Sequence, residues 1–262
     1  METLISFDLR GDFGMLKKPD TNEPVYLTFN MLHKPALLGI IGAILGLKGF
    51  EKQKELPEYY QKLENLKIGI KPLNHDNGNF SKTVIKYNNG TGMASEEKGG
   101  NLIIAEQTLV NPAFQCYVLL DSENETHNKI KAKILSYSSE FIPYLGKNDC
   151  SVWWENAEEL RFEFYTPNDS FTINSLFVKE KKIKGGEIEQ MFSLHNPTNS
   201  PEQSKLPYMY FERLPISYIG APLFQYDYKN FAFTNATLKA EYRPTSDLPL
   251  LKLENGDIIQ VF

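Results

Sequence analysis

Apolar and polar residues alternate along this chain with two different periods, and the changes of period mark out its elements. Glu2 to Arg10 (ETLISFDLR) alternates and predicts a strand. Gly11 to Thr28 carries Gly11, Gly14, Pro19 and Pro24 and predicts a long loop. Pro35 then stands where proline is tolerated, in the first turn of a helix. The run from Ala36 to Leu47 is apolar nearly all round, so that helix should be covered on more than one side. Its Gly42 and Gly46 are expected to let it lie close to a sheet. Leu66 to Leu73 (LKIGIKPL) returns to alternation and predicts a second strand.

Asn74 to Gly100 is different in kind. It holds Gly78, Gly90, Gly92, Gly99 and Gly100, five asparagines, and the basic Lys82, Lys86 and Lys98, with a short strand predicted over Thr83 to Tyr87. This composition predicts a long hairpin or finger projecting from the domain. Strands follow at Leu102 to Ala105 and Phe114 to Leu120, the second well buried. An amphipathic helix comes next, with Ser122 and Glu125 as a capping box and Ile130, Ile134, Tyr137 and Phe141 on one face. Pro143 and Gly146 stop it.

The second half is β-rich. Leu160 to Tyr165 alternates strictly, and Phe171 to Lys184 with Glu187 to Leu194 flanks a hairpin signal at Gly185-Gly186. His195 to Pro207 is a polar linker, Tyr208 to Phe233 is aromatic and extended, and the stretch from Leu251 to Phe262 turns at Asn255-Gly256. The order strand, helix, strand, strand, helix, with one strand inserted, fits a βαββαβ unit. The expected fold class is α+β: a ferredoxin-like or RRM-type domain over residues 1–150, with a β-hairpin thumb near 74–107, then a β-rich region over 151–262.

Composition narrows the class. The chain has 262 residues, 41% hydrophobic and 23% charged, which fits a folded globular protein. Its longest apolar run, Ala36 to Leu47, falls short of the roughly 18 residues a membrane span needs, so a buried helix is expected and no membrane partner. Met1 to Arg10 does not read as a secretory signal, and two cysteines, Cys116 and Cys150, suggest reduced thiols in a cytoplasmic protein. Net charge is −5, but residues 1–100 hold 13 basic against 12 acidic side chains while residues 101–262 hold 15 against 21. An anionic ligand therefore belongs to the front half, bound through a local patch.

The motifs of catalysis are missing: no Gly-rich phosphate loop, no G-x-S-x-G elbow, no H-E-x-x-H. None of the four histidines stands at metal-ligand spacing, so neither a metal nor a cofactor is expected, and a binding role is favoured. His33 and Lys34 sit at a helix N-terminus, where a phosphate is welcome; a solvated polar pair is the competing reading. Lys17 and Lys18 belong to the first loop and suit phosphate contact or plain solvation. Lys82, Lys86, Tyr87 and Lys98 combine charge with an aromatic face in the finger, as an RNA contact would. The charged run Lys179 to Lys184 reads as a solvated hairpin arm, and the later tyrosines and phenylalanines as core or subunit interface.

Three segments resemble the Cas-five family of the CRISPR-associated RAMP superfamily: Phe7 to Pro19 (FDLRGDFGMLKKP), Leu27 to Gly46 (LTFNMLHKPALLGIIGAILG) and Phe141 to Cys150 (FIPYLGKNDC). Phe211 to Pro215 (FERLP) and Phe233 to Asn235 (FTN) add weaker echoes. The resemblance implies a non-catalytic subunit of a type I CRISPR RNA-guided complex, closest to type I-B, that caps the 5′ handle of CRISPR RNA. It implies contacts with the large subunit and the terminal backbone subunit, and with target DNA through the complex. Carried over by position, Arg10, Lys17, Lys18, His33, Lys34, the finger and Lys147 are handle-binding candidates. One branch of the family cuts precursor RNA with a Tyr and an adjacent Lys-His pair. Here the only such neighbours are His33-Lys34, reversed and misplaced, so an endoribonuclease is the alternative and not the expectation.

Overall fold

A computed structural model describes residues 2–19, 24–89, 102–179, 207–239 and 248–262, with backbone alone at 89, 102, 183–184, 187–188 and 192–193. It is an α+β protein rich in strands, with several antiparallel sheets. The central sheet is made of β1 (Glu2–Gly11), β2 (Lys67–Leu73), β5 (Ala113–Asp121) and β6 (Val152–Leu160), in the order β2-β5-β1-β6 and antiparallel throughout. Helix α1 (Lys34–Leu45) and the short α2 (Glu58–Leu63) lie between β1 and β2, and α3 (Glu125–Leu135) between β5 and β6.

The alternation of β1 sorts its side chains onto two buried faces. Ile5, Phe7 and Leu9 meet α1 and α3 through Leu37, Ile41, Ile130 and Ile134. Leu4 points the other way, to a cluster with Tyr117, Leu251, Leu253 and Ile259. That second layer is the hairpin of β10 (Leu250–Leu253) and β11 (Ile258–Gln260), joined at its edge by β7 (Phe162–Tyr165). Gly256 at φ 89° makes the turn that Asn255-Gly256 announces. The helix that is apolar all round is indeed covered on several sides, packing on α2, α3 and β8 (Met209–Ile219).

Part of the stretch expected to form a finger is a two-stranded ribbon. β3 (Lys82–Asn89) pairs antiparallel with β4 (Leu102–Val110) from Lys82↔Leu109 to Asn89↔Leu102. Lys98 and the rest of 90–101 lie outside the described residues. The aromatic stretch is a second long hairpin, β8 paired with β9 (Gln225–Thr234). Ile183–Lys184 pairs with Glu187–Ile188 across Gly185-Gly186, which themselves lie outside the described residues, as does most of the expected linker from His195.

Several expectations change for local reasons. The expected strand at Leu102 continues to Val110, because the inserted ribbon is itself half of a further small sheet. Leu160–Tyr165 is broken at Arg161, and its first residue ends β6, an edge strand whose polar Glu155, Glu158 and Glu159 hide it from a search for apolar alternation. The α3 cap is Asn124, which accepts from the N–H of Thr126 and His127, and not Ser122. That helix stops at Leu135; Tyr137, at φ 53°, and Phe141 are exposed and not on its buried face. Gly42 makes room for Tyr59 of α2, not for a sheet: a Cβ there would stand 2.5 Å from Tyr59 Cβ. Gly46 ends α1 in the left-handed region at φ 75°.

Gly146 is the tightest position. Its φ is 85°, and a Cβ on it would sit 2.0 Å from the carbonyl oxygen of Met15. Gly146→Ala is expected to lower stability by more than about 2 kcal/mol, because strain and a backbone clash add. Urea denaturation of the two proteins checks this; an unchanged midpoint would contradict the contact.

Candidate functional site

The loop after β1 and the loop before α1 run side by side. Lys18 N–H donates to the Leu27 carbonyl at 2.8 Å, and Phe29 N–H to that of Leu16 at 2.7 Å. The Tyr144–Cys150 loop docks on the first of them: Met15 N–H donates to the Leu145 carbonyl at 3.0 Å, with Leu145 itself closed by Cys150 at 2.8 Å. Glu140 and Phe141 donate to Ile44 and Ala43 at the end of α1. Three segments far apart in sequence thus form one surface.

Glu212 of β8 joins that surface to the finger. Oε1 accepts from Asn30 N–H at 3.1 Å and faces Lys18 Nζ at 3.2 Å; Oε2 accepts from Met31 N–H at 3.1 Å and from the Tyr210 hydroxyl at 2.8 Å. Asn30 passes the connection on. Its Nδ2 donates to the Gly78 carbonyl at 2.8 Å, and its Oδ1 accepts from Phe80 N–H at 3.1 Å and Lys82 Nζ at 2.5 Å. Burial lowers the Lys82 pKa and the neighbouring Lys18 adds to this, while Glu212 opposes it.

A second junction lies on the opposite face of the ribbon. Lys147 Nζ is 2.6 Å from Glu106 Oε2 and 3.3 Å from the Tyr87 hydroxyl, which donates to Glu106 Oε1 at 3.0 Å. Burial would lower the Lys147 pKa, but the hydrogen bonds to Glu106 and Tyr87 outweigh it and hold the ammonium above an ordinary lysine. Lys86 and Tyr87 are neighbours in β3 and so project to opposite faces.

The remaining candidates divide into spent and available. Arg10 is 2.6 Å from Glu155 and 3.4 Å from Asp8. Lys34 is buried and donates to the Phe262 carbonyl oxygen at 3.2 Å; burial, reinforced by Lys67, lowers its pKa to about 8. His33 is the N-cap of α1, with Nδ1 accepting from Ala36 N–H at 3.3 Å, and burial pushes its pKa down to about 3. It is therefore neutral at pH 7. Lys17 and Lys86 are exposed, and among the described residues no hydrogen bond or ion pair engages either ammonium. Lys17 stands 3.5 Å above the Tyr26 ring.

Sequence reasoning missed Glu212, Asn30 and Glu106. Glu212 lies inside the FERLP echo, but a lone Glu in a strand carries no signal of four donors waiting for it. Among the described residues no group of His, Cys, Asp and Glu could hold a metal ion, and no helix is long and apolar enough to cross a membrane.

No protein-family model and no curated protein sequence matches the chain. Solved structures similar to it include a CRISPR RNA-guided surveillance complex chain, at 13% identity and TM-score 0.48 over 92% of this chain and 95% of that one. A CRISPR protein from Archaeoglobus fulgidus is 13% identical at TM-score 0.47, covering 100% and 98%. A chain of a Type III-B Cmr-beta assembly bound to cognate target RNA and AMPPnP is 10% identical at TM-score 0.47, covering 91% and 86%.

Two outcomes follow from this geometry. Glu212→Ala removes the carboxylate that two backbone N–H groups and the Tyr210 hydroxyl donate to, and is expected to cost about 3 kcal/mol or more by urea denaturation. His33 sets a pH dependence. Below pH 6.5 the unfolded chain protonates it while the folded chain refuses the proton until about pH 3. The stability it contributes is complete above 6.5 and is lost as pH falls toward 3, at up to about 1.4 kcal/mol per pH unit. His33→Asn keeps a capping oxygen and removes the titration, so the fall in urea midpoint between pH 6.5 and 4.5 should be smaller than in the parent.

Proposed function

We propose that this chain is a non-catalytic RNA-binding subunit of a CRISPR RNA-guided complex, of the Cas-five kind, that caps the 5′ handle of CRISPR RNA. In this reading the β2-β5-β1-β6 sheet with its helices is a ferredoxin-like unit and the β3–β4 ribbon is its thumb. The observation that carries the reading is convergence. Phe7 to Pro19, Leu27 to Gly46 and Phe141 to Cys150 each resemble the family separately, and they meet through Leu16–Phe29, Met15–Leu145 and Ala43–Phe141 hydrogen bonds. FERLP reaches the same place through Glu212.

The exposed cations Lys17 and Lys86 take the phosphates of the handle, with Lys147 and Tyr87 offering a charge beside an aromatic ring on the far face of the thumb. Arg10, Lys34 and His33 hold the fold in position. The complex as a whole supplies the large and terminal backbone subunits and the contact with target DNA, in the cytoplasm.

A non-catalytic role agrees with how the described histidines are used. His33, His75 and His127 each spend Nδ1 as an acceptor for a backbone N–H, and His33 and His127 are both pushed down by burial.

Purified protein incubated with labelled repeat RNA in EDTA should bind it without shortening it. Lys17→Glu with Lys86→Glu should weaken binding at least tenfold, and the slope of log K against log salt should become shallower by about 1 to 2. A discrete cut at the handle boundary would replace this reading with an endoribonuclease; unchanged affinity and slope would remove the phosphate role of the two lysines.

A further inference from the structure

Beside the candidate interface, α1 leaves one face open. Ala36, Gly39 and Ala43 form the floor of a groove of about 620 Å³, within the ~300–1,000 Å³ of small-ligand sites. Its sides are aromatic. Tyr218 and Tyr226 stack with ring centroids 4.8 Å apart, and Tyr59 lines the groove next to them. The exposed Phe141 and Tyr144 line it too, as does Lys17 at the rim.

His33 is the decisive group. It is only 4% exposed, yet it lines the groove. Nδ1 accepts from Ala36, which places the proton on Nε2, and no hydrogen bond engages Nε2 in the described structure. The ring is nearly buried while its Nε2–H opens to the groove, so the acceptor for this donor comes from whatever fills the groove, water or a ligand. The tyrosine hydroxyls repeat the theme, polar tips on ring faces. An apolar helix of a partner protein would bury the Nε2–H donor against hydrocarbon. A nucleobase offers a flat face for the rings and acceptor atoms in its plane.

We propose that this groove takes one unstacked base of the bound RNA, its face against the tyrosine and phenylalanine rings, an in-plane acceptor on His33 Nε2–H, and the adjoining phosphate on Lys17. The proposal rests on the RNA-binding reading and adds a place where a base, not only the backbone, is held. His33 then acts as a neutral donor that senses an acceptor, so the groove selects bases by where their carbonyl and ring nitrogen atoms lie.

The test uses the full chain labelled at histidine nitrogen, titrated with the four nucleoside 5′-monophosphates and with ribose 5-phosphate, and read by NMR at the His33 imidazole. At least one nucleotide should shift Nε2 and saturate, while ribose 5-phosphate should not. Gly39→Leu should abolish the shift and weaken a labelled ten-nucleotide RNA of mixed sequence by roughly 5- to 100-fold, the worth of one stacked base. The first added carbon is accommodated, since a Cβ on Gly39 meets nothing closer than 3.7 Å, and leucine favours a helix over glycine. Ala43→Leu fills the same floor and serves if Gly39→Leu does not fold.

An unshifted His33, or an equal shift with ribose 5-phosphate, overturns the base site. If both floor variants bind RNA like the parent while Lys86→Glu weakens it, the base site falls and the RNA-binding reading stands. If the parent binds no RNA at all, both fall. A floor variant that loses a protein subunit of the complex but keeps its RNA affinity would assign the groove to that subunit instead, and so also refutes the base site.

Discussion

The carboxylate of Glu212 is the contact on which the arrangement of this protein depends. Each of its oxygens takes two donors: Asn30 N–H and Lys18 at one, Met31 N–H and the Tyr210 hydroxyl at the other. A half-buried anion is costly unless its lone pairs are filled, and here they are filled by groups from the first loop, the entry to α1 and β8 itself. Through Asn30 the same node sets where the finger leaves the body, at Gly78, Phe80 and Lys82. Gly78 closes the junction on the other side, since a Cβ there would lie 2.6 Å from Tyr210 Cβ. One side chain thus couples elements separated by 182 positions.

The second junction works by shape. Gly146 lets the Tyr144–Cys150 loop settle directly on the Met15 backbone, and Leu145 occupies the space that Gly14 leaves open. Only then does Lys147 reach Glu106 across 41 positions of sequence and Tyr87 across 60. The basic residue of this loop is therefore both a tie to the finger and a charge beside an aromatic ring. The glycine, the leucine and the lysine of this loop each meet a different neighbour: Met15, Gly14 and Glu106.

Electrostatics then decides how such a chain handles an anion with a net charge of −5. Most candidate cations are engaged inside the fold, Arg10 by Glu155, Lys18 by Glu212, Lys34 by Phe262 and Lys147 by Glu106. These pairs orient loops more than they attract phosphate. Lys17 and Lys86 remain exposed to solvent. Under the proposed RNA-binding role, an anion would be held locally and the binding would be sensitive to salt.

Hydrophobic periodicity was enough to place β1, α1, β2, β5 and the terminal hairpin in sequence order, because burial on one or two faces leaves a period in the chain itself. Proline marked the start of α1 for a backbone reason that is equally local, whereas Gly46, expected to bring the helix close to a sheet, ends it in the left-handed region. The edge strand β6 was not legible, since its polar side chains face water and its place is settled by hydrogen bonds to β1. Nor was the place of His33 legible: beside Lys34 it reads as a phosphate contact or a solvated polar pair, and only burial between Phe29 and Tyr226 lowers its pKa and sets it on a groove. Local pattern determined the elements and the candidate cations. Which of those cations stay free, and which carboxylate holds the rest, depended on contacts between residues far apart in sequence, and no spacing along the chain records those.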